Sequence, residues 1–353
     1  MRTLATHSVS RLASMLARLR PSGLRPGGSA PRGTPHSGGA GVRVLPYIMS
    51  LLLLAGVPVS VWADSGDPFL IVLGIAQDGG APQAGCMKAC CAQRRRDQDQ
   101  RLHVACLGLV DPGTSQRWII DATPDFKEQL QMLDGVAPPG AGGVLAGILL
   151  THGHIGHYTG LIHLGREAIG AHGVPVYAMR RMGAFLQGNG PWDQLVGLGN
   201  ISLKTLSADV RVKLSARITI RPIPVPHRDE YTETVGFLIE GPSRSVLYIP
   251  DIDTWERWDR RIEDLIAGVD LAYLDGTFYA ADEISNRDIA EIRHPFITAS
   301  TTRFRSMPAV ERAKVRFIHL NHTNPALIKS SAARRAVENA GFRVAAEGER
   351  VDL

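Results

Sequence analysis

The chain has 353 residues, of which 44% are hydrophobic, enough for one large α/β domain or two smaller ones with an ordinary core. Its formal net charge of +5 is local: residues 1–63 carry seven arginines (Arg2, Arg11, Arg18, Arg20, Arg25, Arg32, Arg43) and no acidic residue. Removing these 7 from 39 basic residues leaves 32 against 34 acidic ones, a net of −2, so nothing from residue 64 onward points to nucleic acid or another polyanion as partner.

Residues 1–43 are rich in Arg, Ser, Gly and Pro and are expected to be disordered, or to reflect a start codon placed too early, with translation beginning near Val42, Val44 or Met49. Val44 to Val61 is apolar apart from a few small or aromatic polar positions. It is followed by Val61-Trp62-Ala63, a small-residue cleavage pattern, and then by Asp64-Ser65-Gly66-Asp67. Residues 44–63 therefore read as a signal peptide, which predicts a periplasmic or secreted protein free of the membrane after cleavage. A mitochondrial-type presequence competes, because Ser8 to Arg20 is arginine-bearing and free of acids. A retained anchor requires cleavage to fail.

Phe69 to Gly74 reads as a strand, followed by the glycine-rich turn Ile75-Ala76-Gln77-Asp78-Gly79-Gly80-Ala81-Pro82. Cys86, Cys90 and Cys91 come next, with Cys106 further on; three cysteines in six residues suggest a zinc clip. In an exported protein a disulfide from Cys86 or Cys91 to Cys106 competes, as do free thiols. Val104 to Val110 and Trp118 to Ile120 form a hairpin, and Pro124 and Asp125 open a helix through Leu130. A Pro/Gly loop from Val136 to Gly143 leads to the buried strand Gly147 to Leu150, and Thr159 to Ala168 looks helical. Val174 to Ala178 is a strand with a helix after it. Further strands are Ile218 to Ile223, Val235 to Ile239, Ser245 to Ile249, Val269 to Leu274 and Arg316 to Ile318. With no repeat and no second core after a linker, residues 64–353 are expected to form one domain.

The chemistry concentrates at strand ends. Thr151-His152-Gly153-His154-Ile155-Gly156-His157 follows a strand directly, and His-x-His there lets two imidazoles converge on one ion. Asp121, His152, Asp251, Asp275 and His319 each sit just past the carboxyl end of an apolar run, the edge where layered α/β folds assemble their sites. His227 follows Pro226, and Asp253 and His322 are neighbouring alternatives to Asp251 and His319 as ligands.

The ordered set Asp121, His152-x-His154-x-Gly156-His157, His227, Asp251 and His319 resembles the metallo-β-lactamase superfamily of metal-dependent hydrolases. The opening from Gly74 to Cys91 resembles the branch that contains coenzyme PQQ synthesis protein B and the cyclic-phosphate phosphodiesterase of phosphonate breakdown. So do Ile120-Asp121-Ala122-Thr123-Pro124-Asp125, Asp275-Gly276-Thr277-Phe278 and Phe317-Ile318-His319. The resemblance implies a four-layer αβ/βα sandwich with one or two zinc ions at one edge, manganese or iron suiting the same ligands. His152, His154 and His227 would hold one metal, His157 and His319 the second, and Asp251 would bridge. Asp121 would orient the histidine loop, and His294 is a candidate proton donor or oxyanion contact. The implied reaction is metal-activated hydrolysis of a small-molecule phosphodiester, ester or lactone. A role like that of PQQ synthesis protein B, or non-catalytic metal binding, is the alternative.

Three departures qualify the match. The family motif has aspartate where this chain has Gly156, so the second site is expected to lack a ligand, with Tyr158 or His163 as nearby substitutes. Restoring Asp at 156 is then expected to raise second-metal occupancy. Lys88 stands at the middle place of the phosphodiesterase's cysteine motif, with Cys90 as its replacement and His322 as fourth ligand of a structural zinc. PQQ synthesis protein B lacks the intact His-x-His pair that this chain keeps, which favours hydrolysis.

Overall fold

The structure, a computed structural model, describes residues 66–140, 143–283 and 293–353; the expected disordered leader (1–43) and signal peptide (44–63) lie outside the described residues. Strands β1 (Phe69–Gly74), β2 (Cys106–Asp111), β3 (Gln116–Ile120), β4 (Gly147–Leu149), β5 (Val174–Ala178) and β6 (Ile201–Thr205) form one sheet. Strands β7 (Val212–Lys213), β8 (Thr219–Pro224), β9 (Val235–Glu240), β10 (Ser245–Ile249), β11 (Leu271–Asp275), β12 (Val315–Ile318) and β13 (Arg343–Val344) form the other. The last strand, β14 (Arg350–Asp352), returns to pair with β1, so among the described residues both sheets have seven strands, in the orders β14-β1-β2-β3-β4-β5-β6 and β13-β12-β11-β10-β9-β8-β7. Each sheet is mixed: β1 to β3 are antiparallel and β3 to β6 parallel, while β8 to β10 are antiparallel and β10 to β13 parallel.

The unbroken apolar run of β1 is explained by burial on both faces, the rule for strands covered on each side. Leu70 and Val72 point between the sheets, where they join a cluster with Leu107, Trp118, Phe237, Ile239 and Val246. Phe69, Ile71 and Leu73 alternate outward to pack beneath Phe126, Leu133, Leu161 and Leu186. Each such side chain contributes about 1.5–3 kcal/mol by burial. Two sheets face to face with helices outside give the expected four-layer αβ/βα sandwich.

Helix α1 (Ala89–Arg96) carries Cys90 and Cys91, and α2 (Phe126–Val136) covers the first sheet. After the histidine motif, α3 (Ile155–Tyr158) gives way to a 3-10 turn, Thr159–Leu164, rather than the longer helix expected through Ala168. Within that turn Gly160 passes so close to the β3 exit that a Cβ there would sit 2.1 Å from the Thr123 carbonyl oxygen. The short strands β6, β7, β13 and β14 were not expected from the sequence, since they mix polar with apolar residues and exist through their neighbours.

At the end opposite the histidines, the sheets are tied by Asp111 at the end of β2. Its buried carboxylate accepts from Ser215 Oγ at 2.6 Å and from Arg217 Nε at 3.1 Å, both in the β7–β8 turn. Burial alone would raise the Asp111 pKa, but the Arg217 and Ser215 donors outweigh it and hold the carboxyl below its ordinary value. Its stabilisation is therefore complete above the unfolded carboxyl value of about 3.9 and fades as pH falls through the lower folded value. Asp111→Ala is expected to cost about 1–3 kcal/mol in urea unfolding at pH 7, a deficit that shrinks towards zero in acid.

Candidate metal centre

The first half of the site hangs from the parallel pair β3 and β4. Asp121, one residue past β3, is fully buried and sits in the left-handed region at φ 71°. Such a conformation costs a non-glycine residue about 1–3 kcal/mol, so packing and hydrogen bonds must enforce it. The Asp121 N–H donates to the Leu149 carbonyl on β4 at 2.8 Å. Its carboxylate accepts from the Thr151 N–H at 2.8 Å, the Thr151 hydroxyl at 3.0 Å and His157 Nδ1 at 2.7 Å. Because the hydroxyl is donated to Asp121, its oxygen accepts from His152 Nδ1 at 3.0 Å. This network fixes the tautomers: His152 and His157 carry their protons on Nδ1, and both Nε2 atoms are left as ligands. His152 Nε2 lies 2.8 Å from His154 Nδ1.

The second sheet repeats the device. Thr277 donates its N–H and hydroxyl to Asp275 Oδ1 at 2.9 and 2.7 Å, and its oxygen faces His319 Nδ1 at 3.0 Å. His319 follows β12 at φ 63°, the same strained region as Asp121. His294 Nδ1 donates to Asp275 Oδ2 at 2.8 Å, and its ring lies 5.2 Å from that of His227.

Asp251, just past β10, stands between the halves. Its Oδ2 is 3.1 Å from His157 Nε2 and 3.4 Å from His319 Nε2, while Oδ1 is 3.7 Å from His227 Nε2. Asp253 is not the alternative ligand: its Oδ1 sits 3.4 Å behind His227 at Nδ1, and its Oδ2 is held by Arg257 and Arg293 at 2.8 and 3.3 Å.

The buried side chains at this edge have atoms without a hydrogen-bond partner: His157 Nε2, both nitrogens of His227, Asp251 Oδ2, His319 Nε2 and Asp78 Oδ1. Buried polar atoms are otherwise nearly always paired, so a cluster of converging orphans fits a cation. The carboxylates at this edge favour positive charge. Burial, then the neighbouring charge of His157, hold His152 well below the ordinary histidine range. Burial would also lower His157, but the Asp121 and Asp251 carboxylates outweigh it and raise its pKa well above that range. Asp251 is held well below the carboxylate range, its burial outweighed by His319 and His157.

All the expected residues thus converge: His152, His154, His157, His227, Asp251 and His319, with Asp121 behind and His294 beside them. Thr151 and Thr277, which set the tautomers, were not anticipated, since threonine beside histidine carries no signal of its own. Neither was Asp78, whose Oδ1 lies 3.3 Å from His157 Nε2 and 3.5 Å from His319 Nε2. Tyr158 and His163, the expected substitutes, are elsewhere: Tyr158 packs on Trp192 and Phe185, and His163 stacks on Phe126. The expected aspartate at 156 would not fit the site as it stands, because a Cβ there would lie 2.0 Å from Asp78 Oδ1 and 2.8 Å from Asp78 Cα.

His322, three residues beyond His319, faces away from this edge to a second cluster. Its Nδ1 is 3.4 Å from Cys90 Sγ and 3.3 Å from Cys91 Sγ, with Cys86 Sγ 3.9 Å from Cys90 Sγ. A tetrahedron with zinc–sulfur bonds of about 2.3 Å has sulfur–sulfur edges of about 3.8 Å, so these four residues could hold a zinc ion. The competing disulfide to Cys106 is not formed; Cys106 is buried on β2, with its thiol near the Asp121 carbonyl oxygen.

The two sheets with a histidine and aspartate cluster at one edge define the metallo-β-lactamase fold. Residues 116–309 match the Beta-lactamase superfamily domain, and the chain belongs to that family. Coenzyme PQQ synthesis protein B of Methylobacterium nodulans is 29% identical over 306 residues, covering 79% of this chain and 97% of that protein. The Zn2+-bound PqqB structure from Methylobacterium extorquens matches with a TM-score of 0.68 and 24% identity, over 81% of this chain and all 100% of that one. A diphosphatase from the PhnP family matches with a TM-score of 0.58 and 21% identity, over 81% and 97%. These structures share the fold.

Thr151→Val removes the hydroxyl that bridges Asp121 and His152 while keeping the side-chain volume. It is expected to weaken metal binding about 10- to 100-fold in chelator competition, with circular dichroism unchanged.

Proposed function

We propose that the chain is an exported metal-dependent hydrolase acting on a small-molecule phosphodiester, ester or lactone. The observation that carries this reading is the intact His-x-His pair converging with His227, His157, His319 and both oxygens of Asp251. His152, His154 and His227 would hold one metal and His157 and His319 a second, with Asp251 spanning them; zinc suits these donors, as do manganese and iron. Bound metal would supply Lewis-acid chemistry, lowering the pKa of water and neutralising charge on the substrate oxygens.

The remaining roles belong to the chain itself. Asp121 with Thr151, and Asp275 with Thr277, hold His152, His157 and His319 by Nδ1 so that their Nε2 atoms are aimed inward. His294, tied at Nδ1 to Asp275, has Nε2 left to give a proton to a leaving oxygen or to contact an oxyanion. Substrate would enter on the His154 side. His154 is 14% exposed where His157, His227 and His319 are 0%; the exposed Ile155 follows it in the chain, and the exposed Tyr231 follows Glu230, whose Oε2 lies 3.2 Å from His154 Nε2.

Cys86, Cys90, Cys91 and His322 would hold a structural zinc that pins α1 to the turn after β12. Cys91→Ala with His322→Ala is expected to remove one metal equivalent and lower the unfolding temperature, leaving the metal bound at His152 and His154 in place. Elemental analysis and thermal unfolding read both.

A cofactor-biosynthesis role like that of PQQ synthesis protein B is the second reading, supported by relatives matched along nearly their whole length. A screen separates the two. The purified protein is expected to carry metal and to hydrolyse bis-para-nitrophenyl phosphate, a para-nitrophenyl ester, a lactone or nitrocefin, with His152→Ala and His154→Ala losing metal and turnover together. Wild-type metal content in those variants, or no turnover on any substrate class, would contradict hydrolysis. Export predicts a mature amino terminus at Asp64, readable by mass spectrometry of the periplasmic fraction.

A further inference from the structure

The turn after β1 carries a carboxylate that no part of the histidine motif requires. We propose that Asp78 is the fourth ligand of the second metal, and that residue 156 is glycine because Asp78 fills the space a side chain there would need. The proposal rests on the metal-centre reading above and deepens it.

Four atoms set the geometry. Asp251 Oδ2 lies 3.1 and 3.4 Å from the Nε2 atoms of His157 and His319, and Asp78 Oδ1 lies 3.3 and 3.5 Å from the same two atoms. A tetrahedral ion with bonds of about 2.0–2.1 Å requires ligand–ligand edges of about 3.3–3.4 Å, so all four separations suit one ion. Neither histidine has another use for its Nε2, because Nδ1 is committed to Asp121 in one and Thr277 in the other. Asp78 Oδ1 is itself buried without a hydrogen-bond partner. The two carboxylates offset the charge of a divalent cation.

The turn is braced to deliver this group. Leu320 N–H donates to the Ile75 carbonyl at 2.8 Å, and Gln77 N–H donates to the Leu320 carbonyl at 2.9 Å, so Asp78 and His319 are set by one short ladder. The same two segments meet again at the thiol cluster, where Cys90 and Cys91 face His322. Gly156 then follows as a consequence: a Cβ at 156 would meet both the Asp78 carboxylate and its Cα. An aspartate ligand from position 78 and a side chain at position 156 are mutually exclusive.

The test measures metal binding, independent of any substrate. Full-length wild type, Asp78→Ala, Asp78→Asn, Gly156→Ala and the exchange Asp78→Gly with Gly156→Asp are stripped and titrated with Zn2+ and Co2+. Elemental analysis, chelator competition, cobalt d–d absorption and circular dichroism provide the readouts. Asp78→Ala is expected to keep the first metal and bind the second about 100-fold more weakly or worse, beyond the loss from removing an outer hydrogen bond. Asp78→Asn, which keeps the shape, should behave alike and stands in if the alanine variant unfolds. Gly156→Ala should also weaken the second metal although it removes no ligand, and the exchange should bind it better than Asp78→Ala does. Wild-type affinity for the second metal in Asp78→Ala or Asp78→Asn would overturn the ligand assignment, and in Gly156→Ala the exclusion. Wild type that binds no metal through His152 and His154 would instead overturn the metal-centre reading itself.

Discussion

The structure depends on hydrogen bonds made behind the imidazoles. Two aspartate–threonine pairs, Asp121 with Thr151 and Asp275 with Thr277, hold His152, His157, His294 and His319 by Nδ1. A histidine can present either nitrogen, and only this constraint makes the inner face of the cluster a set of lone pairs rather than a mixture of donors and acceptors. The two pairs come from different sheets and sit at equivalent strand ends, so the site requires the sandwich to close in one register.

That closure is held from several directions. The apolar layer between the sheets supplies most of the energy, and the Asp111 carboxylate with Arg217 and Ser215 locks the far end. At the near end, Asp121 and His319 are both held at positive φ. Strain at these positions persists because neighbouring strands fix the backbone on each side, and it turns the side chains towards the shared edge.

Much of this could be read from the sequence. Strands buried on both faces announce themselves as unbroken apolar runs, and Asp121, His152, Asp251, Asp275 and His319 could be placed at strand ends for that reason. His322 could be assigned to the cysteines through the resemblance to the phosphodiesterase, which implies a second histidine three residues after His319. The legible part stops where position depends on partners distant in sequence. Strands β6, β7, β13 and β14 are short and partly polar, and they are defined by the ladders beside them. Asp78 reads as an ordinary residue of a glycine-rich turn; its meaning comes from His157 and His319, brought to it by two different sheets. The vacancy suggested by Gly156 was a change of supplier: the space belongs to a carboxylate from elsewhere in the chain.

The most direct test of the account is anomalous diffraction at the zinc edge from crystals of the zinc-loaded, full-length protein. The account predicts a peak among His152, His154 and His227, and a second among His157, His319, Asp251 and Asp78. Absence of density from both positions, with the histidine nitrogens turned to protein or water, would contradict it.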